Sequence, residues 1–290
     1  MKPLKIFASF LLLLLAYAGA TAFLPPPAVY KYQQQWDENA AKAQRYLLSV
    51  APLPEALVVG SSLSERMPGY AFDSCFYNLA LAGGSSLTGL ELASRRDKLP
   101  GVILIESNIL SRKADMKFVE EADSRLARLV PVFRQDRKPV NYLYSTLYSL
   151  QYSPQAEYRK QMQKSSDPRV REIALGPLLA DNDSTRPEAE IRQSAELYRP
   201  YISRFVQGGS RAAFFEMPID PRLRNGKRAT QIRDTLRSEF KDVPYIDLGA
   251  AAEFQSVDTT DGLHLTAADA VKAGRLLSRE AGLTACGPQG

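Results

Sequence analysis

Ala56-Leu57-Val58-Val59-Gly60-Ser61-Ser62-Leu63-Ser64 is the stretch whose reading decides the fold of this chain. Four apolar residues run straight into a glycine and a cluster of serines. An apolar run this short, with no polar alternation, suits a strand buried on both faces. The glycine and serines suit a loop that turns into a helix. The same pattern recurs along the chain. Residues 76–81 form a second apolar run, ending at Gly83-Gly84 and followed by a helical stretch over 86–99. Residues 102–105, 212–217 and 245–248 are three more, each beside a helical segment. Short buried strands alternating with helices predict an α/β protein: a three-layer α/β/α sandwich around a mainly parallel five-stranded sheet. Ligands of such a sheet bind at the C-terminal ends of its strands.

Outward from this frame the chain changes character twice. Lys2 and Lys5 precede a mainly apolar run over 6–24, a basic start and hydrophobic core that read as an export signal. The run is long for a signal-peptide core and about long enough for an uncleaved anchor of roughly 20 apolar residues, while small residues at Ala18, Ala20 and Ala22 offer a cleavage site, so signal and anchor both stand as readings. The basic start places the remainder outside the cytoplasm. Residues 1–27 are therefore expected to be signal or anchor, closed by Pro25-Pro26-Pro27, and 28–290 the functional domain. Residues 30–50 read as an amphipathic helix.

The second change is a long interruption over about 110–209, rich in Arg, Lys, Tyr and Gln and mostly helical in pattern. A connection of that length has structure of its own, such as a lid or a substrate-facing subdomain. Tyr142, Tyr144, Tyr148, Tyr152 and Tyr158 would suit a sugar-binding groove. The helical spacing of Tyr144, Tyr148 and Tyr152 puts three of them on one face, for which packing against the sheet domain is the plainer reading.

The net charge of +5 is modest, and the 45% hydrophobic content is that of an ordinary globular protein. No zinc-ligand spacing, P-loop or dense basic stripe is present, so no metal, cofactor or nucleic-acid partner is expected. In an oxidising compartment the two cysteines, Cys75 and Cys286, are either bridged or two separate thiols.

The chain has one histidine, His264, in Asp261-Gly262-Leu263-His264-Leu265-Thr266. A lone histidine is more often structural than catalytic. Here an aspartate three residues earlier is placed to hold the imidazole tautomer that leaves Nε2 free as a base. The segment also falls after the last strand, at the edge where α/β enzymes place their chemistry. The group for that base to deprotonate is Ser62, just beyond the first strand, with Ser61 and Ser64 as local competitors and helix capping as the plainer role for all three. Gly83, with Gly84 as the alternative register, follows the second strand, and Asn108 the third. A glycine N–H, an asparagine amide and the Ser62 N–H would make a three-donor oxyanion hole.

Serine, glycine, asparagine and Asp-x-x-His at successive strand ends resemble the SGNH/GDSL hydrolase superfamily, over about residues 56–283. The resemblance implies the flavodoxin-like SGNH fold, with Ser62 as nucleophile, Gly83 and Asn108 as oxyanion donors, and Asp261 and His264 as the acid–base pair. Two blocks depart from the usual pattern. Ser61 stands where Gly-Asp-Ser has its aspartate, and Glu106-Ser107-Asn108-Ile109 replaces Gly-x-Asn-Asp. Such departures are similar to those of exported members linked to exopolysaccharide O-acetylation. By that resemblance the chain is a cell-envelope or periplasmic esterase or O-acyltransferase. Its expected substrate is an acylated carbohydrate or other ester, and a membrane acyltransferase is an expected partner. The contrasting expectations are a non-catalytic carbohydrate-binding or scaffold protein with the same fold, and a lipid esterase. The Gly-x-Ser-x-Gly elbow of α/β-hydrolases is absent around every candidate serine.

Overall fold

The computed structural model describes residues 2–23, 27, 30–32, 34–48, 54–69, 76–154, 156 and 168–283. Cys75 and Cys286 lie outside them, as does Tyr158. The chain divides into two compact units, residues 1–49 with 120–157 and residues 50–119 with 158–290.

The second unit is built on β1 (Ala56–Val59), β2 (Phe76–Asn78), β3 (Val102–Glu106), β4 (Arg211–Glu216) and β5 (Tyr245–Asp247). They form one sheet in the order β2-β1-β3-β4-β5, and every neighbouring pair is parallel. The five expected runs are the five strands, each within a few residues of its expected bounds. β1, β3 and most of β4 are fully buried, which explains why they read as continuous apolar runs rather than alternating ones.

Strand periodicity distributes those side chains to two cores. Ala56, Val58, Val102, Leu104, Ala213 and Phe215 face one layer, where they meet Ala270, Ala273, Leu276 and Leu277 of the C-terminal helix Ala267–Glu280. On the intervening residues of β4, Phe214 packs edge-on to Tyr198 and against Phe240, all three buried. Helices Ser86–Ser94 and Arg199–Gln207 belong to that opposite layer, their closest strand neighbours being β1 and β4. The result is an α/β/α sandwich. β1 lies between β2 and β3, so the chain leaves it in one direction to reach β2 and must cross back to form β3. This reversal of strand order is the crevice where α/β sheets hold ligands.

The first unit is helical. Numbered along the whole chain, α1 (Lys2–Phe23) and α2 (Gln35–Leu48) belong to it. So do α6 (Arg125–Leu129), α7 (Pro139–Gln151) and two short 3-10 turns between them. The Gln44 side chain of α2 accepts from the Gln135 N–H at 2.6 Å, and Asn141 of α7 donates to the Gln135 carbonyl at 3.0 Å. Ser145 of α7 accepts from the Lys31 N–H at 3.0 Å. The expected insertion over 110–209 is helical where described, but it is not one body. Residues 120–157 join the N-terminal helices, and the remainder belongs to the sheet unit. The tyrosine face of α7 makes its own stack, with the Tyr148 and Tyr152 rings 4.5 Å apart and Tyr144 next in line. Among the described residues, no helix is long and apolar enough to cross a membrane.

Candidate active site

The residues after β1 form a four-residue helix, α3 (Ser62–Glu65), and its first turn accounts for the placement of Ser62. The N–H groups that open a helix have no acceptor within it and must find one elsewhere. Ser61 is the N-cap, and its Oγ accepts from the Leu63 N–H at 3.2 Å. The Ser64 N–H donates to the Glu106 Oε2 at 3.1 Å, and the Glu65 N–H to the Ser61 carbonyl at 3.0 Å. The N–H of Ser62 has no acceptor among the described residues, and it opens at the C-terminal edge of β1.

The three serines are sorted by burial. Ser61 and Ser64 are buried, and both hydroxyls donate to the carboxylate of Glu106, Ser61 Oγ to Oε1 at 2.6 Å and Ser64 Oγ to Oε2. Oε2 also accepts the Ser61 N–H at 2.9 Å. Ser62 is half-buried, and its Oγ lies 2.9 Å from Nε2 of His264. His264 Nδ1 is 2.6 Å from Oδ2 of Asp261. With the Nδ1 proton directed at Asp261, Nε2 accepts from the Ser62 hydroxyl, the tautomer a general base needs.

Asp261 is held from the main chain as well. Its Oδ1 accepts the N–H groups of Leu263 at 3.0 Å and His264 at 2.8 Å, an Asx-type turn that folds the carboxylate back beside the imidazole. Burial alone would raise its pKa, but the hydrogen bonds from the His264 ring and main chain outweigh that and hold it down at about 2. The carboxylate is therefore ionised wherever the imidazole is to be oriented.

The loop carrying the pair is fastened on three sides. Thr259 and Leu265 form an isolated antiparallel bridge, closing it at the base. Arg66, the C-cap of α3, donates to Thr260 Oγ1 at 3.2 Å and to the Leu265 carbonyl at 3.1 Å, so the serine helix and the histidine loop are tied directly. Gly262 has φ +92°, and a Cβ there would lie 2.3 Å from Leu175 Cδ2. Only glycine fits both the left-handed backbone and the close approach of the helix Pro168–Asn182.

Of the expected oxyanion donors, Gly83 follows β2 and Asn108 follows β3, the two neighbours of β1 in the sheet. Leu81 donates its N–H to the Gly60 carbonyl at 3.0 Å, lashing the loop after β2 to the residues just before Ser62. Of the two adjacent glycines, Gly84 spends its N–H on the Leu81 carbonyl at 2.8 Å to close the turn. Gly83, at φ +73°, has an N–H with no acceptor among the described residues. Asn108 follows β3, with Oδ1 accepting the Met217 N–H at 2.7 Å and Nδ2 donating to the Met217 carbonyl at 3.0 Å. These two bonds fix the amide plane and leave one Nδ2 hydrogen.

Glu106 was not among the expected site residues. It ends an otherwise apolar strand and is buried to 1% exposure, a position where a carboxylate persists only with partners. The sequence signal was present in the two departures from the SGNH pattern, Ser61 and Glu106. The structure joins them by a hydrogen bond, so each departure supplies the partner of the other. Compared with known proteins, the chain matches no family model and no characterised sequence.

Proposed function

We propose that the chain is an exported serine-dependent esterase or O-acyltransferase working through an acyl-enzyme on Ser62. The observation that carries this reading is the relay from Ser62 Oγ through His264 to Asp261, with contacts of 2.9 and 2.6 Å. A serine hydroxyl is a poor nucleophile until a base accepts its proton, and this geometry provides the base and its orienting carboxylate.

In the first step Nε2 of His264 takes the hydroxyl proton as Oγ bonds to an ester carbonyl carbon. The carbonyl oxygen becomes an oxyanion, received by the N–H groups of Ser62 and Gly83 and the remaining amide hydrogen of Asn108. Collapse breaks the bond to the leaving alkoxide, which takes the proton from the imidazolium. In the second step His264 deprotonates water or a sugar hydroxyl as it attacks the acyl carbon; collapse then breaks the acyl–Oγ bond, and the imidazolium returns its proton to Ser62 Oγ. Water as acceptor gives an esterase, and a sugar hydroxyl gives an O-acyltransferase. The resemblance to SGNH proteins of exopolysaccharide O-acetylation favours acetyl groups on a cell-surface polysaccharide and a membrane acyltransferase as donor partner. Fold-level likeness is the warrant for that substrate. The basic, apolar N-terminal segment supports export.

The test is covalent labelling of the full chain with a fluorophosphonate, followed by peptide mapping. The expected result is a single adduct on Ser62, lost in Ser62→Ala and in His264→Ala. Absence of labelling in folded protein would remove the enzymatic reading and leave a binding or scaffold protein. An adduct on Ser61 or Ser64 would keep the enzyme and move the nucleophile.

A further inference from the structure

Exposed apolar residues are distributed unevenly over this molecule. Among the described residues the whole sheet unit exposes four large hydrophobics, Met116, Ile173, Leu197 and Val206. The short segment 126–150 of the helical unit exposes nine. Four of these, Val140, Leu143, Leu147 and Leu150, recur at the spacing of one helical face and are 58–82% exposed. The helix that carries them, α7, contains no charged residue in its 13 positions. Leu129 (78% exposed) and Phe133 extend the apolar surface into α6 and the turn after it. An apolar face of this extent on a folded unit marks an interaction surface.

The chemistry around the stripe identifies what it meets. Residues 120–151 carry five basic side chains, Arg125, Arg128, Arg134, Arg137 and Lys138, against Glu120, Glu121, Asp123 and Asp136, and Arg128 pairs with Asp123. From Leu126 to Gln151, along the apolar face itself, the one acidic side chain is the buried Asp136. Arg125 and Lys138 are exposed and make no ion pair among the described residues, and they stand one residue before Leu126 and two before Val140. Tyr148 stacks on Tyr152, the residue that caps the helix, and Tyr144 stands tilted beside Tyr148, so a row of amphipathic rings runs along the helix to its end. The helix α1 of this unit repeats the arrangement, with Lys2 and Lys5 ahead of exposed Leu12 and Leu13. Tyr17 of α1 donates to the Arg137 carbonyl at 2.8 Å, which brings the last third of α1 to the start of α7. An uncharged apolar face, unpaired cations at its edge and tyrosines beside it are the features of a helix lying in a lipid headgroup boundary. A protein groove would demand none of the flanking positive charge, whereas each cation near an anionic bilayer adds about 1 kcal/mol.

We infer that α7, with the α6 turn beside it, lies in the surface of an anionic bilayer and is a membrane-contacting element separate from the N-terminal segment. The inference stands apart from the catalytic reading of Ser62, since it concerns a different unit. The sequence 139–151 is too short to span, and lies flat. Its helical length of about 20 Å matches an in-plane helix.

The test places an environment-sensitive fluorophore on single cysteines of the full chain, in a Cys75→Ser, Cys286→Ser background, with anionic phosphatidylglycerol vesicles and with neutral phosphatidylcholine vesicles. Labels go on Leu143→Cys and Leu147→Cys of α7, on Leu12→Cys of α1 and on Ile173→Cys of the sheet unit. The expected result is at least twofold quenching of both α7 labels by lipids brominated on the acyl chain, and none at position 173. Binding to the anionic vesicles should fall at least fivefold in Leu143→Asp/Leu147→Asp. Quenching at position 12 alone would overturn the inference and leave the N-terminal helix as the membrane element. Labels on α7 shielded from iodide but not quenched by lipid would also overturn it, showing the face covered by protein or a second copy.

Discussion

Replacing Glu106 by glutamine removes one negative charge at nearly constant shape, and the structure states what should follow. Oε2 accepts three hydrogen bonds, from the Ser61 N–H, the Ser64 N–H and the Ser64 hydroxyl, while Oε1 accepts the Ser61 hydroxyl. In Glu106→Gln the amide oxygen retains the three bonds at the Oε2 position, and the amide nitrogen faces a Ser61 hydroxyl that must turn to accept. A bond to a charged acceptor contributes about 1.5–3 kcal/mol and a neutral one about 0.5–1.5, so three weakened bonds cost about 3 kcal/mol. For a unit of this size that lowers the melting temperature by about 6–12 °C. Because those bonds set the first turn of α3, Ser62 loses its register with His264 as well. The expected fluorophosphonate labelling rate, measured well below the melting temperature, falls at least about tenfold. Glu106→Ala should be worse on both counts, because it leaves two main-chain N–H groups and two hydroxyls without the acceptor they share. A Glu106→Gln protein that melts within about 2 °C of the parent, or that is stable yet labelled at the parent rate, would refute the reasoning. The first result would show that the charge contributes nothing to the turn, and the second that the turn does not position Ser62.

The partner residue gives the reciprocal experiment. Ser61→Asp introduces the aspartate of the Gly-Asp-Ser block that this segment resembles but sets a carboxylate against Glu106 where a donor now sits at 2.6 Å, so it should destabilise the protein by about 3 kcal/mol or more in chemical denaturation. Asp261→Asn preserves the shape beside His264 but removes the acceptor that fixes its tautomer, and Ser62 labelling should slow by roughly a thousandfold with little change in melting temperature. Acid should destabilise the sheet unit through Asp220, buried to 2% exposure. Burial would raise its pKa, but Arg222 and Arg171 outweigh that and hold it at about 2, below the ordinary 3.8. A depressed pKa gives stability that is fully present above pH ~4 and is lost as pH falls toward 2, by about 2 kcal/mol, and Asp220→Asn should flatten that part of a urea-unfolding pH series.

The sheet was legible in the sequence because its strands are buried on both faces. Apolar runs such as 56–59 and 102–105 leave no other economical reading, and their spacing fixed the alternation with helices. The histidine loop was legible for a local reason: Asp261 and His264 are three residues apart, so one turn of chain determines their contact. The division into two units was not legible. Whether 120–157 folds onto the helices before the sheet depends on side-chain pairs such as Gln44 with Gln135, 91 residues apart, and no local periodicity encodes such a pair.

The role of Glu106 lies between these cases. Taken one block at a time, Ser61 and Glu106 are two departures from the SGNH pattern that the chain otherwise resembles, and two departures argue against a working site. Read together they are donor and acceptor of the same hydrogen bond. A decayed site has no reason to keep a buried carboxylate at the end of β3, since an unpartnered carboxylate there costs several kcal/mol. Here every donor around it comes from Ser61 and Ser64, the residues that flank Ser62 on the short helix. The turn that carries Ser62 is therefore supported from the end of β3, while the contacts from Ser62 through His264 to Asp261 keep hydrogen-bonding distances throughout. That arrangement is what the proposed serine site would require, and it makes the paired replacement of residues 61 and 106 a more informative comparison than either alone.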